Sequence, residues 1–146
     1  MRLFHISSKN LDGRVLIPSV PSNILTKLGV EDNKTPRLSF APSVNYAILA
    51  IGYNRIKSGP KILDVFEPED YKKLKIIKDK ELSIKGLVPD ADKTKEHWIL
   101  NRIRVKYAGQ IKIIKPTNKF IEIIISPSSK IKNYYWEYKV MDGDLE

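Results

Sequence analysis

The sequence predicts an α+β domain that is dominated by antiparallel sheet and carries one main helix, at about residues 43–52. Three observations support this class. The stretch Glu96–Val140 is rich in Ile, Val, Tyr and Trp, which favours β-strands. Two short segments with strand character, Arg2–Ile6 and Arg14–Ile17, are separated by a turn at Lys9–Gly13. One segment between these regions has the apolar periodicity of a helix.

The predicted main helix follows a short strand, Arg37–Phe40, and an Ala-Pro-Ser break. Ser43 is a favourable N-cap, because its hydroxyl can accept a hydrogen bond from a free amide of the first turn. Gly52 provides a stop. A strand that ends at a helix N-terminus leaves amides free, and such a corner suits a phosphate. One helical face is apolar, with the spacing i, i+3, i+4 and i+7: Val44, Ala47, Ile48 and Ile51.

The remaining elements are predicted from turn residues and apolar runs. Those before residue 96 are one or two helical turns in Ser22–Leu28, a link at Lys57–Pro60, a strand at Lys61–Phe66, an irregular excursion at Glu69–Lys85 and a loop at Gly86–Lys95. The later strands are Glu96–Asn101, Arg104–Lys115, Phe120–Ser126 and Lys130–Val140, with turns at Lys115–Asn118 and Ser126–Ser129. We expect a single domain over residues 1–141 and a frayed acidic tail over residues 142–146.

The composition limits the class of protein. The 146 residues include no cysteine, which excludes disulfides and thiolate metal sites. No signal peptide is visible at the N-terminus, and no segment approaches the roughly 20 apolar residues that a membrane span needs. We therefore expect a cytoplasmic protein with no membrane partner.

The net charge is the unusual property of this composition. The chain has 26 Lys and Arg against 17 Asp and Glu, a net charge of +9. Such an excess attracts anionic partners. It does not distinguish a nucleic acid from a small nucleotide.

Several reaction classes lack their motifs. No nucleophile elbow, Walker loop or dinucleotide-binding glycine motif is present. The two histidines, His5 and His97, lie without the carboxylate neighbours of a metal site, so we expect no metal. A two-histidine phosphoesterase needs a hydroxyl residue two positions after each histidine. Ser7 satisfies this spacing after His5, whereas Ile99 does not after His97, so this class is only an alternative.

A series of short motifs resembles the ADP-ribosyltransferase-like domains, and the small rifampicin ADP-ribosyltransferases in particular. The resemblance covers about Arg2–Ile114, and each motif occurs in the same order as in that family. The motifs are Leu3–Ser7, Leu11, Gly13, Leu16-x-Pro18, the strand and helix of Arg37–Ile51, a strand ending in Glu-Pro at Ile62–Pro68, and Trp98–Ile113. This resemblance implies an ADP-ribosyltransferase-like fold and a ligand that is NAD or a related ADP-ribose nucleotide.

The same resemblance implies roles for individual residues. His5 would contact the ribose, with the hydroxyl of Ser7 beside it, and Phe40 would stack on the nicotinamide. Glu96, with Asp90 and Asp92 as weaker choices, would be the acidic residue that orients the donor or acceptor. Catalysis would then rest on Glu96 and His5. Ile6 occupies the position of a family glycine, and Phe40 lacks the hydroxyl of the family tyrosine.

The chemistry of this ligand indicates the other binding residues. A pyrophosphate needs cations, and Arg37 lies on the relevant strand, with Ser43 at the helix start beyond it. A stacked ring is provided by Phe40, Tyr46 or Trp98. A carboxylate such as Glu96 stabilises a positively charged ribose transition state.

Two functions from different classes remain open at this point. The first is an ADP-ribosyltransferase-like protein that either transfers ADP-ribose or only holds the nucleotide. The second is a basic module for single-stranded nucleic acid, favoured by Tyr134-Tyr135-Trp136 near Lys130 and Lys132. A protein acceptor or a nucleic acid is accordingly open as a further partner.

Overall fold

The chain forms two antiparallel sheets, which an isolated backbone bridge between Phe4 and Ala41 joins. The computed structural model describes residues 1–22, 29–126 and 128–145. The strands are β1 (His5–Ser7), β2 (Val15–Leu16), β3 (Leu38–Phe40), β4 (Ile62–Pro68), β5 (Ile76–Ile77), β6 (His97–Ile99), β7 (Ile103–Ser126) and β8 (Ser129–Asp142). The helices of the described residues are α1 (Val44–Ile51), α2 (Tyr53–Ser58), α3 (Asp79–Ile84) and α4 (Ala91–Thr94), with a 3-10 turn at Tyr71–Lys73.

The larger sheet has the order β1-β4-β7-β2, and β8 also pairs with β7. The smaller sheet has the order β3-β6-β5. Every pairing between these strands is antiparallel. The predicted α+β class with mainly antiparallel sheet is therefore confirmed.

The helix α1 begins and ends as the sequence predicts. The Ser43 hydroxyl accepts a hydrogen bond from the Tyr46 amide at 3.3 Å. The helix ends at Ile51, and Gly52 has φ of 95°, a backbone conformation that glycine adopts without steric cost. The second helix, α2, begins directly after Gly52 and occupies the first part of the segment that was predicted as a link. The observed link therefore begins only at Gly59.

The predicted turn at Lys115–Asn118 is wrong. Strand β7 continues through it, with register shifts on both sides of Pro116, and three residues of β7 bulge opposite one residue of β8. Proline lacks the amide that a regular ladder needs, and a bulge accommodates it without ending the strand. The predicted turn at Ser126–Ser129 is confirmed, because β7 ends at Ser126 and β8 begins at Ser129.

The segment between β4 and β6 is more regular than the sequence predicts. The irregular excursion at Glu69–Lys85 contains the 3-10 turn, β5 and α3, and the loop at Gly86–Lys95 contains α4. These short elements bury Leu82 and Val88 against Trp98. Such contacts are distant in sequence, so local periodicity does not reveal them. The predicted helical turns of Ser22–Leu28 lie almost wholly outside the described residues.

Three clusters of buried apolar side chains form the core. The first packs α1 against the larger sheet and includes Ile48 and Val65. The second joins the two sheets around Phe40 and Phe66. The third surrounds Trp98. Within the described part of the chain, no helix combines the length and apolar character needed to cross a membrane.

The end of the chain is docked, and the prediction of a frayed tail is wrong for the described residues up to 145. The Leu145 side chain is 5% exposed and belongs to the first core cluster. The Asp144 carbonyl accepts a hydrogen bond from the Arg2 guanidinium at 2.6 Å. The segment is acidic overall, so its composition does not indicate that one apolar residue, Leu145, packs in the core.

We expect Leu145→Ala to lower the free energy of unfolding by about 2 kcal/mol, because truncating a buried leucine removes apolar burial and leaves a cavity. Met141→Ala, four residues earlier at a side chain that is 48% exposed, is the control and should change stability by less than about 0.5 kcal/mol. Urea unfolding measures both. Equal effects of the two changes would show that the tail does not stabilise the core.

Candidate functional site

A cleft of about 650 Å³ lies between β1, the end of β3 and the two helices α1 and α2. Strand β1 and the turn after it contribute His5, Ser7 and Lys9, and α2 contributes Arg55. His5 and Ser7 lie on the same face of β1, because successive side chains of a strand point to opposite faces. Ile6, between them, is buried in the first core cluster and also lines the cleft.

The His5 imidazole is held by β3. Its Nδ1 lies 3.3 Å from the Ser39 carbonyl oxygen. A carbonyl only accepts, so Nδ1 carries the proton and Nε2 presents a lone pair. Burial lowers the pKa of His5, although the Ser39 carbonyl opposes this effect. The imidazole is accordingly neutral at neutral pH and offers an acceptor at Nε2.

Two cations line the cleft without a carboxylate to neutralise them. Lys9 and Arg55 are exposed, and neither forms an ion pair with another residue of the described chain. The described residues of the lining include no Asp or Glu. The cleft is therefore electropositive. Sequence reasoning missed Lys9 and Arg55, since nothing local distinguishes them from the other basic residues of this chain.

Ser7 is positioned by the turn that carries Lys9. The Ser7 hydroxyl oxygen accepts a hydrogen bond from the Lys9 amide at 3.0 Å. Its own proton stays free to donate into the cleft. This bond fixes the Ser7 hydroxyl against the backbone of the turn, and both Ser7 and Lys9 line the cleft.

Phe40 contacts the cleft only with part of its ring. It is 2% exposed and packs in the second core cluster, and its ring centroid lies 5.5 Å from that of His5 at a tilt of 41°. Its face is not free for a stacked base. Phe40 instead supports the imidazole from one side.

Four residues predicted to bind the nucleotide do not line this cleft: Arg37, Ser43, Tyr46 and Trp98. Ser43 is used as the cap of α1, and Tyr46 lies edge-on to Tyr135 at 6.2 Å between centroids. Trp98 is fully buried. The corner before α1, which sequence reasoning assigned to a phosphate, thus has a structural role in this fold.

Arg37 belongs to a buried charged cluster behind β3. It is 3% exposed, and its Nη1 donates to the carbonyl oxygens of Asp32 and Thr35 at 2.7 and 3.1 Å. Its Nη2 lies 3.7 Å from a Glu31 carboxylate oxygen, and the guanidinium carbon lies 4.2 Å from the Trp98 ring centroid. Burial lowers the pKa of Arg37, against the effect of Glu31.

Glu96 belongs to the same side of β3 as Arg37. Its Oε2 accepts hydrogen bonds from the Trp98 indole at 2.7 Å and from the Ser39 hydroxyl at 3.1 Å. Burial raises the pKa of Glu96, although both bonds oppose this. The Ser39 side chain and the Phe40 side chain point to opposite faces of β3. His5 and Phe40 thus meet at the cleft, while Glu96 lies behind the strand and does not line it.

The two histidines do not share the cleft. His97 is buried, its Nδ1 lies 2.8 Å from the Lys95 carbonyl, and its Nε2 lies 3.8 Å from an Asp79 carboxylate oxygen. Asp90 and Asp92, the weaker choices for the acidic residue, also lie outside the cleft lining. The Asp90 carboxylate accepts a hydrogen bond from the Ile124 amide at 2.9 Å. Among the described residues, no group of three or more His, Asp or Glu is arranged to hold a metal.

We expect Glu31→Gln to stabilise the protein above pH 7. Burial, with a contribution from Glu96, raises the pKa of Glu31 to about 7, against the opposing effect of Arg37. A carboxyl whose folded pKa exceeds its unfolded value of 4.5 loses its stabilising contribution as pH rises from about 4.5 to about 7. At pH 8 the variant should gain on the order of 1–3 kcal/mol in free energy of unfolding, and at pH 4 the difference should vanish.

Urea unfolding at several pH values measures this change. Glu69→Gln, which removes an exposed glutamate, is the control for the loss of one negative charge. A loss of stability at pH 8 in Glu31→Gln would show instead that attraction between Glu31 and Arg37 exceeds the cost of burial.

Comparison of the chain with protein-family models, curated proteins and solved structures found no match. The ADP-ribosyltransferase-like fold therefore stays a prediction from the sequence motifs. Function has to be inferred from the chemistry of the cleft itself.

Proposed function

We propose that the protein binds a nucleotide of the NAD or ADP-ribose type in the cleft between β1, α1 and α2, and that it holds this ligand without transferring ADP-ribose. The observation that carries the proposal is the pair of unneutralised cations, Lys9 and Arg55, in a lining without a carboxylate. Such a site attracts anions. An arginine also recognises a phosphate through two parallel hydrogen bonds.

The size and walls of the cleft suit a nucleotide. Its volume of about 650 Å³ falls in the usual range of small-molecule sites, about 300–1,000 Å³. Ala47, Ala50 and Ile51 of α1 form an apolar wall against which a base or a ribose can pack. In the same lining, His5 Nε2 can accept and the Ser7 hydroxyl can donate, so that both kinds of polar group in a ribose find a partner.

The choice of an ADP-ribose nucleotide over another anion rests on the resemblance of Leu3–Ser7 and the following motifs to the ADP-ribosyltransferase-like domains. His5 and Ser7, the two residues that the resemblance places at the ribose, both line the cleft. In this proposal the nucleotide is bound and not consumed, and no metal takes part.

Binding without transfer follows from the charges of the cleft. Breaking the bond to nicotinamide develops positive charge on the ribose, and a carboxylate near that charge lowers the barrier. Glu96 lies behind β3, where its Oε2 is bonded to Ser39 and Trp98. The cations Lys9 and Arg55 oppose the same developing charge. The side chain of Ile6 stands where the family has glycine.

We expect Arg55→Ala and Lys9→Ala each to weaken binding of NAD and of ADP-ribose about tenfold, since each removes one charge-assisted hydrogen bond to phosphate. Arg102→Ala is the matched control, because Arg102 is also exposed and unpaired in the described structure but lies outside the cleft. Isothermal titration calorimetry with NAD, ADP-ribose and adenosine measures the affinities. Adenosine, which carries no phosphate, should bind weakly and equally to all variants.

Two outcomes of that titration would contradict the proposal. One is no binding of NAD or ADP-ribose by the wild type at millimolar ligand. The other is an equal loss in Arg102→Ala and Arg55→Ala, which would assign the effect to overall charge.

We expect no release of nicotinamide when the wild type is incubated with NAD, and we expect Glu96→Gln to leave the Kd for NAD within about twofold, because Glu96 lies outside the cleft. Chromatographic detection of nicotinamide, with and without a protein acceptor mixture, measures the reaction. Release that Glu96→Gln reduces by about a hundredfold, the typical loss for a transition-state contact, would establish transfer and a catalytic role for Glu96.

A further inference from the structure

We propose that a row of aromatic rings where α2 meets the β7–β8 hairpin binds single-stranded nucleic acid, by stacking on its bases and pairing with its phosphates. The rings, called the aromatic row below, are those of Phe120, Tyr134, Tyr53 and Trp136. None of these residues lines the cleft, so the proposal does not rest on the proposed nucleotide binding.

The rings form a continuous series. Phe120 and Tyr134 are register partners across β7 and β8, with centroids 5.6 Å apart. Tyr53 of α2 lies 6.1 Å from Tyr134 and 5.3 Å from Trp136, on which it stacks at an interplanar angle of 25°. The bulge of β7 after Pro116 restores the pairing at Phe120 and so brings the first two rings together.

The outer members of the row are accessible. Phe120 is 41% exposed, and Tyr53 and Tyr134 are half-buried. Trp136 is 6% exposed and forms the buried base on which Tyr53 stacks. The exposed part of the Phe120 ring contributes little to the core. A base that stacked on this ring would remove its apolar surface from water.

Lysines without carboxylate partners surround the exposed rings. Lys132 Nζ lies 4.6 Å from the Phe120 ring centroid, and Lys57 Nζ lies 5.9 Å from that of Tyr53. Lys130 precedes Lys132 by two residues and therefore lies on the same face of β8. None of these three lysines forms an ion pair within the described chain. One carboxylate, that of Glu122, lies opposite Lys132 in the register.

A fourth lysine near the row has a different role. Lys61 Nζ lies 6.0 Å from the Trp136 ring centroid, but it donates to the carbonyl oxygens of Ile56 and Lys57 at 2.6 and 2.8 Å. It therefore caps the end of α2 and fixes Tyr53 and Lys57 beside the hairpin. We assign no phosphate contact to it.

Aromatic rings interleaved with unpaired cations are the composition of a surface for single strands, where bases stack on the rings and the backbone follows the charges. Double-stranded nucleic acid hides its base faces, so the rings would add nothing to its binding. An acidic protein would be attracted by the lysines, but its carboxylates would make no use of a series of rings.

The first test measures binding of a fluorescent oligo-dT of about ten nucleotides by anisotropy at low salt. We expect Phe120→Ala to raise the Kd at least about fivefold, the lower bound for loss of one stacked base, and Phe120→Tyr to retain binding. Ile114→Ala is the matched control, because Ile114 is an exposed apolar residue of the same strand outside the row. It should leave the Kd within about twofold.

The second test measures the salt dependence of the same binding. We expect Lys132→Ala to reduce the magnitude of the slope of log K against log salt by about 0.7, the loss of one phosphate contact on a single strand. Lys139→Ala, on the same strand but distant from Phe120, should leave this slope unchanged. A duplex of the same length should bind at least about tenfold more weakly than the single strand.

No binding at low salt, an equal Kd for duplex and single strand, or an equal loss in Ile114→Ala and Phe120→Ala would overturn the proposal. Lys9→Ala should weaken NAD binding and leave oligonucleotide binding unchanged, so the two sites are tested independently. Urea unfolding of each variant confirms that the changes act on binding.

Discussion

Two backbone hydrogen bonds between Phe4 and Ala41 join the two sheets, and the geometry of the cleft depends on them. The Phe4 amide donates to the Ala41 carbonyl at 2.7 Å, and the Ala41 amide donates to the Phe4 carbonyl at 3.0 Å. This pair places β1 beside the end of β3, so that His5 meets Phe40 and the Ser39 carbonyl. The start of α1, three residues after Ala41, is then directed along the cleft, whose apolar wall it forms.

Strand β3 separates two electrostatic environments. Behind it, the buried Arg37 lies with the half-buried Glu31 and Glu96, and loss of solvent contact shifts each pKa toward the neutral form. In front of it, Lys9 and Arg55 face solvent in a lining without acids. The buried cation is paired within the protein, whereas the exposed cations remain available to a ligand. This division, more than the net charge, supports an anionic ligand in the cleft.

The β7–β8 hairpin combines a structural role with a free surface. The Asn133 amide group donates to the Leu49 carbonyl at 2.9 Å, and Tyr135 lies against Tyr46, so alternate residues of β8 hold the hairpin on α1. The residues between them point the other way. Of these, Tyr134 belongs to the aromatic row and Lys132 lies beside it, and the bulge after Pro116 adds Phe120.

The sequence by itself determined the fold class, the limits of α1 and the turn between β7 and β8, because helix caps, apolar period and turn residues act over a few positions. It also placed His5 and Ser7 on one face of β1, since strand alternation alone does so. Tertiary structure decided the rest. Pairing with β8 carried β7 through Pro116, core contacts recruited Leu145, and β3 placed Glu96 and Arg37 behind the cleft while α2 brought Arg55 into it. Each of these outcomes depends on contacts between residues that are distant in sequence, and no local pattern encodes which residues will meet.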